Sequence, residues 1–540
     1  MADIIIHNGT IYDGSGGEGF KGDVVIEGDR ITAVGRTTDR APGERAPLEI
    51  DAAGLAVAPG FINMMCWANE SLIHDGRSQS DIRQGVTLEV LGEGWSMGPL
   101  NEAMKAEMKA RQSDIQYEIE WTTLGQYLDY LVRRGVSCNV ASFVGAGGVR
   151  GHVIGYEDRR PTPAELVEMQ NLVRQAMAEG AVGVSSALIY SPDSFADTEE
   201  LAALASAAAE YDGIYITHLR SEGARFFEAL DEFMEIVRRS GARGEIYHLK
   251  ASGHRNWHKL DEVIRRVEKA QEEGLTITAD MYTYHASATG LDSIMPAWVQ
   301  EGGHDAWVRR LQDGAVRERL LAELSYDGED MEYGFVEVGS AEGIILTTFR
   351  NLALRPLTGK TLAEVAEMRG KPALEVAMDL VVEDNSRVGA VFFTMSEENV
   401  RKKVALPWVS FCSDSSSLAP EGVFLNTNPH PRAYGSFARL LCKYVREEGA
   451  ISLEEAVRRL AALPADVLKL RERGRLKPGY FADIAIFDPA TIRDNATFAN
   501  PHQYATGMVH VLVNGVPVLQ GGEHTGAMAG RVVRGPGAGK

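Results

Sequence analysis

Between Thr162 and Ala279 the sequence alternates helix-forming and strand-forming stretches at a constant period, and that period restricts the fold more than any other feature. Thr162-Pro163-Ala164-Glu165 reads as a capping box with proline at the first helical position. Leu166, Met169, Leu172, Val173, Ala176 and Met177 then fall on one helical face, and Gly180 ends the run. The strand Val182-Gly183-Val184 follows at once. The unit repeats as a helix over 197–212 with a strand over 214–217, a helix from about 223 to 240 with a strand over 245–247, and a helix from about 259 to 273 with a strand over 275–279. Strands that start roughly 30 residues apart, each after a helix, have the spacing of βα units in a parallel sheet.

Earlier stretches of the same character are 61–66, 87–91 and 137–144, and later ones are 388–394 and 408–412. These make nine candidate strands for the eight places of an α/β (β/α)8 TIM-like barrel, so one lies outside. The stretch from about 290 to 356 breaks the rhythm and reads as an insertion after the seventh strand, with which 388–394 is grouped. Both chain ends differ from the middle. Ile4-Ile5-Ile6-His7-Asn8-Gly9 and Asp23-Val24-Val25-Ile26-Glu27-Gly28-Asp29 are short strands broken at turns, matched by Asp483-Ile484-Ala485-Ile486-Phe487 and Val511-Leu512-Val513-Asn514-Gly515. Neither half-sheet buries a face alone, so 1–58 and 476–540 are expected to form one composite small β domain beside a barrel of 59–475.

Charge removes several function classes. The chain has 55 basic and 76 acidic side chains, a net of −21 with no block of one sign, and such a field repels nucleic-acid backbones and anionic membranes. Nucleic acid and membrane are therefore not expected as partners, whereas self-association into a homo-oligomer is left open. Cys66, Cys138, Cys412 and Cys442 are far apart without a CxxC pair, which predicts neither a disulfide framework nor a thiolate zinc site and favours a cytoplasmic location. The first residues carry an acid where a signal peptide wants a base. The uncharged stretch 501–522 contains His502, Gln503 and Asn514 and reads as two strands about Asn514-Gly515. There is neither a Gly-rich phosphate loop at a strand–helix junction nor a Gly-x-Ser-x-Gly elbow, so no nucleotide cofactor or serine nucleophile is indicated.

The polar residues at strand ends carry the chemistry. Thr217-His218 and Tyr247-His248 put a histidine at the carboxyl end of two adjacent strands, and Ser413-Asp414 puts an acid at the end of the last. That face of a barrel holds the active site. One such histidine is commonly structural, but two at matched positions with a carboxylate form a set that binds zinc and leaves room for water.

Several blocks together resemble the N-acyl-D-amino-acid deacylase (D-aminoacylase) branch of the amidohydrolase superfamily. They are Val57-Ala58-Pro59-Gly60-Phe61-Ile62, Ile82-Arg83-Gln84-Gly85-Val86-Thr87, Thr217-His218-Leu219-Arg220, His248-Leu249-Lys250-Ala251-Ser252-Gly253, Ala279-Asp280-Met281-Tyr282, Cys412-Ser413-Asp414 and Leu476-Lys477-Pro478-Gly479. The chain also departs from that branch. Met65 and Trp67 stand where its members carry His-x-His metal ligands, and Gly92-Glu93-Gly94-Trp95 replaces the turn that often supplies a cysteine ligand. The fourth strand ends in Val184-Ser185-Ser186-Ala187, without a lysine to bridge two metals. The resemblance therefore implies a metal set of His218, His248, Glu93 and Asp414, holding about one Zn²⁺ per chain. It assigns Lys250, Tyr282, Ser287 and Arg432 to gripping a substrate carboxylate, and Phe392 and Met395 to an acyl side-chain pocket. His254, His258 and His285 are weaker candidates near the same mouth.

The expected activity is hydrolysis of a C–N amide bond in a small acylated amine or N-acyl-amino acid by a zinc-activated water, with Asp414 as general base and acid. Related readings are a dipeptidase or a cyclic-amide hydrolase, and a different one is a non-catalytic binding protein whose site has decayed.

Overall fold

The computed structural model describes residues 2–35, 46–326, 328 and 334–539. Positions 36–45 of the expected β domain, and 327 and 329–333 of the expected insertion, lie outside them. Two parallel arcs build the barrel. One contains Phe61–Asn63, Val86–Leu91 and Asn139–Ser142, and the other Val144–Gly145, Gly183–Ala187, Ile214–His218, Arg243–Ile246, Ile277–Met281 and Val409–Phe411. Asn139–Ser142 and Val144–Gly145 are one strand interrupted at Phe143, which gives eight barrel strands. The first and last meet through Met64 N–H donating to Phe411 O (3.4 Å) and Asp414 N–H to Met65 O (3.1 Å).

The helices follow the sequence rhythm. In Pro163–Glu179 the Thr162 hydroxyl accepts from Glu165 N–H while the Glu165 carboxylate accepts from Thr162 N–H, and Gly180 ends the helix at φ 111°. Thr198–Ala209, Phe226–Ser240 and Leu260–Glu272 repeat the pattern, and their buried faces pack on the strands as the outer layer of the barrel.

Between the seventh and eighth strands the chain makes an excursion with its own antiparallel sheet of Ser287–Gly290, Gly389–Phe392 and Ile344–Thr348. The strand expected over 388–394 belongs here, and the excursion runs beyond 356 to Phe392. Leu291, Ile294, Trp307, Leu346, Leu380 and Phe392 form part of a core separate from that of the barrel. The two chain ends share a nine-stranded sheet, joined where Ile484–Phe487 pairs antiparallel with Ala56–Pro59. Met508–Val513 and Val516–Gln520 form the hairpin read around Asn514-Gly515. Among the described residues no helix is long and apolar enough to cross a membrane.

Candidate metal centre

One strand end and three loops at the carboxyl ends of the barrel strands bring the site together. His218 is the last residue of the fifth strand, His248 follows the sixth, Glu93 the second and Asp414 the eighth. His248 and Asp414 adopt φ of 34° and 49°, a left-handed conformation that costs on the order of 1–3 kcal/mol each in non-glycine residues. The His248 turn is held by its N–H donating to Asp280 Oδ1 at 2.7 Å. Glu93 sits between Gly92 and Gly94, both at positive φ, and a Cβ on Gly94 would come within 2.5 Å of the Ala187 side chain. Only glycine lets this turn press the Glu93 carboxylate against the fourth and fifth strands.

Glu93 Oε1 lies 3.3 Å from His218 Nδ1 and 3.1 Å from His248 Nε2, and the ligating atoms of the three all lie within 4.8 Å of one another. Their side chains are 5%, 7% and 2% exposed. One carboxylate oxygen and two imidazole nitrogens converging in a nearly dry site have the chemistry of a zinc-binding set. The outer nitrogens share a second acid. Glu222 Oε2 lies 3.4 Å from His218 Nε2, and Glu222 Oε1 lies 3.2 Å from His248 Nδ1 and 2.7 Å from Lys250 Nζ. His248 Nδ1 also lies 2.7 Å from Lys250 Nζ, so Glu222 and Lys250 together surround the ring nitrogen that faces away from Glu93. Sequence reading missed Glu222; its one signal is a position four residues after His218 in the same loop.

The electrostatics follow from burial and these partners. Burial alone would raise the Glu93 pKa, but the hydrogen bonds and charges of His218 and His248 outweigh it and hold the carboxyl well below its usual range. Glu222 is likewise buried, and Lys250 with the two histidines pulls it far down. Asp414 is displaced upward, chiefly by burial, against the pull of Arg432 and His248.

Asp414 stands outside the three-residue cluster whose ligating atoms lie within 4.8 Å of one another. It faces the same pocket, with Oδ2 bound to Arg432 Nη1 at 2.5 Å and Oδ1 buried without a partner. The pocket measures about 290 Å³ and is walled by Leu188, Ile189, Tyr190, Met295 and Phe392 around Glu93, His218, His248 and Asp414. Ser287 and Lys250 line it, but the Lys250 ammonium is engaged by Glu222. Arg432 does not line it. It is 1% exposed, binds Asp414 and donates to Ala288 O. Tyr282 is buried with its ring 4.5 Å from the Arg432 guanidinium and does not reach the pocket. Phe392 lines the pocket, paired in register with Ser287, whereas Met395 packs into the core beside Tyr282 and Tyr284. His254, His258 and His285 do not line it; His254 packs on Trp257, and His285 on Phe393 and Phe498.

Residues 48–519 match the sequence profile of the amidohydrolase family. D-aminoacylase of Alcaligenes xylosoxydans xylosoxydans is 32% identical over 533 residues, covering 98% of this chain and 97% of that one. A solved structure of D-aminoacylase, a protein described as having a binuclear metal centre with one-metal activation and second-metal attenuation, superposes with a TM-score of 0.82 at 31% identity, over 99% of this chain and 100% of that one. The crystal structure of N-acyl-D-glutamate deacylase from Bordetella bronchiseptica, complexed with zinc and a phosphonate that mimics the tetrahedral intermediate of the reaction, gives 0.80 at 28% identity and covers 99% of each chain.

Proposed function

Because the chain belongs to the amidohydrolase family, in its N-acyl-D-amino-acid deacylase branch, we propose that it hydrolyses the amide bond of N-acyl-D-amino acids with one zinc held by Glu93, His218 and His248. The observation that carries this reading is the convergence of one Glu93 oxygen on the two imidazoles at the floor of a pocket that also presents Asp414. A bound zinc supplies Lewis acidity for the amide carbonyl and for water. Asp414 Oδ1, which has no partner, takes the proton of the attacking water and returns it to the leaving amine, while Arg432 on Oδ2 holds the carboxylate in one orientation. Water adds across the amide, so the products are a carboxylate and a free D-amino acid.

Leu188, Ile189, Met295 and Phe392 exclude water and receive apolar groups of the substrate. Arg220 is bound to Glu232 and to the carbonyls of Ser194 and Ala196, and Lys250 to Glu222, which favours an uncharged over an acidic D-amino-acid side chain. Ser287, which lines the pocket and whose hydroxyl is not taken up by a neighbouring acid, is the group we assign to the substrate α-carboxylate. The four cysteines are free and buried, which supports placement in a reducing cytoplasm.

The test is amine release by zinc-loaded protein from a panel of N-acetyl-D- and N-acetyl-L-amino acids, with a dipeptide and a cyclic imide included. Turnover of the apolar D-isomers is expected. Zinc-loaded protein that releases amine from no N-acyl-amino acid would overturn the reading.

A further inference from the structure

Glu93 and Asp414, two of the carboxylates that line the pocket, each have one oxygen taken by a neighbouring side chain, and the donor on Glu93 is unusual. Trp67 Nε1–H donates to Glu93 Oε2 at 2.7 Å, leaving Oε1 alone toward His218 and His248. An indole N–H can only donate; it neither binds a metal nor takes up a proton. The ring is held from both sides of its backbone, because Trp67 N–H donates to Ser415 O at 2.9 Å and the Ser416 hydroxyl donates to Trp67 O at 3.1 Å. Both partners lie in the loop that carries Asp414, so the indole and Asp414 are parts of one stitched unit. Asp414 Oδ2 in turn is taken by Arg432, whose guanidinium lies 5.8 Å from the Trp67 ring centroid. Met65, buried two residues before Trp67, offers only a thioether, a poor donor to zinc.

The geometry points to Trp67 as a positioning residue that commits Glu93 to a single cation. A carboxylate that bridges two ions uses both oxygens. Here the indole holds Oε2, and Glu93 presents one oxygen to the histidine pair. The guanidinium of Arg432 supplies positive charge beside Asp414, where a second ion would otherwise have to do so. This inference rests on the zinc reading above and goes beyond it: the single-ion site is built by a hydrogen bond as well as by the lack of ligands at 65 and 67.

Zinc titration of chelator-treated protein, with Co²⁺ absorption as a second readout, tests it in wild type, Trp67→Phe and Trp67→His. Wild type should take one zinc. Trp67→Phe keeps most of the ring but frees Oε2, so zinc affinity should fall about tenfold, as for other losses of a partner behind a ligand, and the Co²⁺ spectrum should shift as the carboxylate re-orients. Trp67→His replaces the indole donor by an imidazole that can bind an ion and release Oε2, and should take up a second ion at excess zinc. Should Trp67→Phe not fold, Trp67→His decides alone, and one zinc bound with wild-type affinity overturns the proposal. Trp67→Phe with zinc affinity within about twofold of wild type and an unchanged Co²⁺ spectrum also overturns it while leaving the hydrolase reading intact. Wild-type protein that takes up no divalent ion overturns both.

Discussion

Glu222→Gln is the most informative perturbation, because the carboxylate serves three partners that an amide cannot all serve. Oε1 is shared by Lys250 Nζ at 2.7 Å and His248 Nδ1 at 3.2 Å, and Oε2 faces His218 Nε2 at 3.4 Å. Glutamine keeps the shape but has one acceptor oxygen and no charge. The Lys250 and Glu222 side chains are only 6% and 10% exposed, so the ammonium is left buried without its counter-charge. Breaking such a pair costs roughly 3–5 kcal/mol, and retention of one oxygen puts the expectation near the lower end. Independently, the two imidazoles lose the carboxylate charge beside their outer nitrogens, which should weaken zinc binding by roughly ten- to a hundredfold, or about 1.4–2.7 kcal/mol.

Adding Lys250→Met separates the two effects. The double variant replaces the buried pair by apolar and neutral groups and should recover stability to within about 1 kcal/mol of wild type, while zinc affinity stays low because the histidines still lack the carboxylate charge beside them. Denaturant unfolding of the metal-free proteins reports the first quantity and chelator-competition titration the second. The pH dependence has a definite sign. The Glu222 pKa is lowered in the fold by Lys250 and the histidines against the opposing effect of burial, so its stabilisation is present above the unfolded value of about 4.3 and is lost as pH falls through the folded value. Glu222→Gln with zinc affinity within twofold of wild type, or full recovery of affinity in the double variant, would refute the reasoning.

Three further outcomes are expected. Asp414→Asn should keep zinc, because Asp414 lies outside the ligating cluster, yet lose turnover by 100-fold or more, because asparagine cannot take the proton of water; metal content and kcat on one preparation check this. Glu93→Gln should lower zinc affinity by roughly ten- to a hundredfold or more without unfolding the chain, read by the same titration and by circular dichroism. Asp193 supports the Glu93 turn, accepting Ala187 N–H at 2.7 Å, and burial above all pushes its pKa up to about 8. Between about pH 4 and pH 8 the unfolded chain has lost this proton while the fold keeps it, so stability falls with rising pH across that window. Asp193→Asn should remove that fall and be more stable than wild type at pH 8, with little difference at pH 4.

The parts of the molecule legible in the sequence are those set by local patterning. The helix–strand period between Thr162 and Ala279 depends on caps, apolar spacing and glycine stops within each unit, and all four strands and helices appear where it places them. His218 and His248 were legible for the same reason, since a strand end is a local feature and a barrel makes all such ends converge. The extent of the excursion was less so, because Ser287–Gly290 and Gly389–Phe392 pair across about a hundred residues that carry no periodic signal. Arg432 shows the limit most clearly. Its presence near the mouth could be read, but whether a guanidinium meets a substrate or a neighbouring acid is decided by which partner lies closer in the fold, and Asp414, 18 positions earlier, is 2.5 Å away.

Glu93, Trp67 and Glu222 take this one step further. Each alone has an ordinary explanation in the sequence: a loop acid, a lost ligand, a residue four after a histidine. Together they form a chain of contacts from indole to carboxylate to imidazole to carboxylate to ammonium, drawn from the loops after the first, second, fifth and sixth strands. Every internal member has a partner on each side, so a change at one end alters how the next ligand is held. The Glu93 carboxylate has a second oxygen that must be satisfied in a nearly dry site, since an unpaired carboxylate oxygen there would cost a few kcal/mol. An imidazole at 67 could bind a metal, whereas an indole can only satisfy that oxygen. In the zinc site proposed above, Glu93 and Trp67 therefore act as a pair: the carboxylate would supply the ligand, and the indole satisfies its other oxygen.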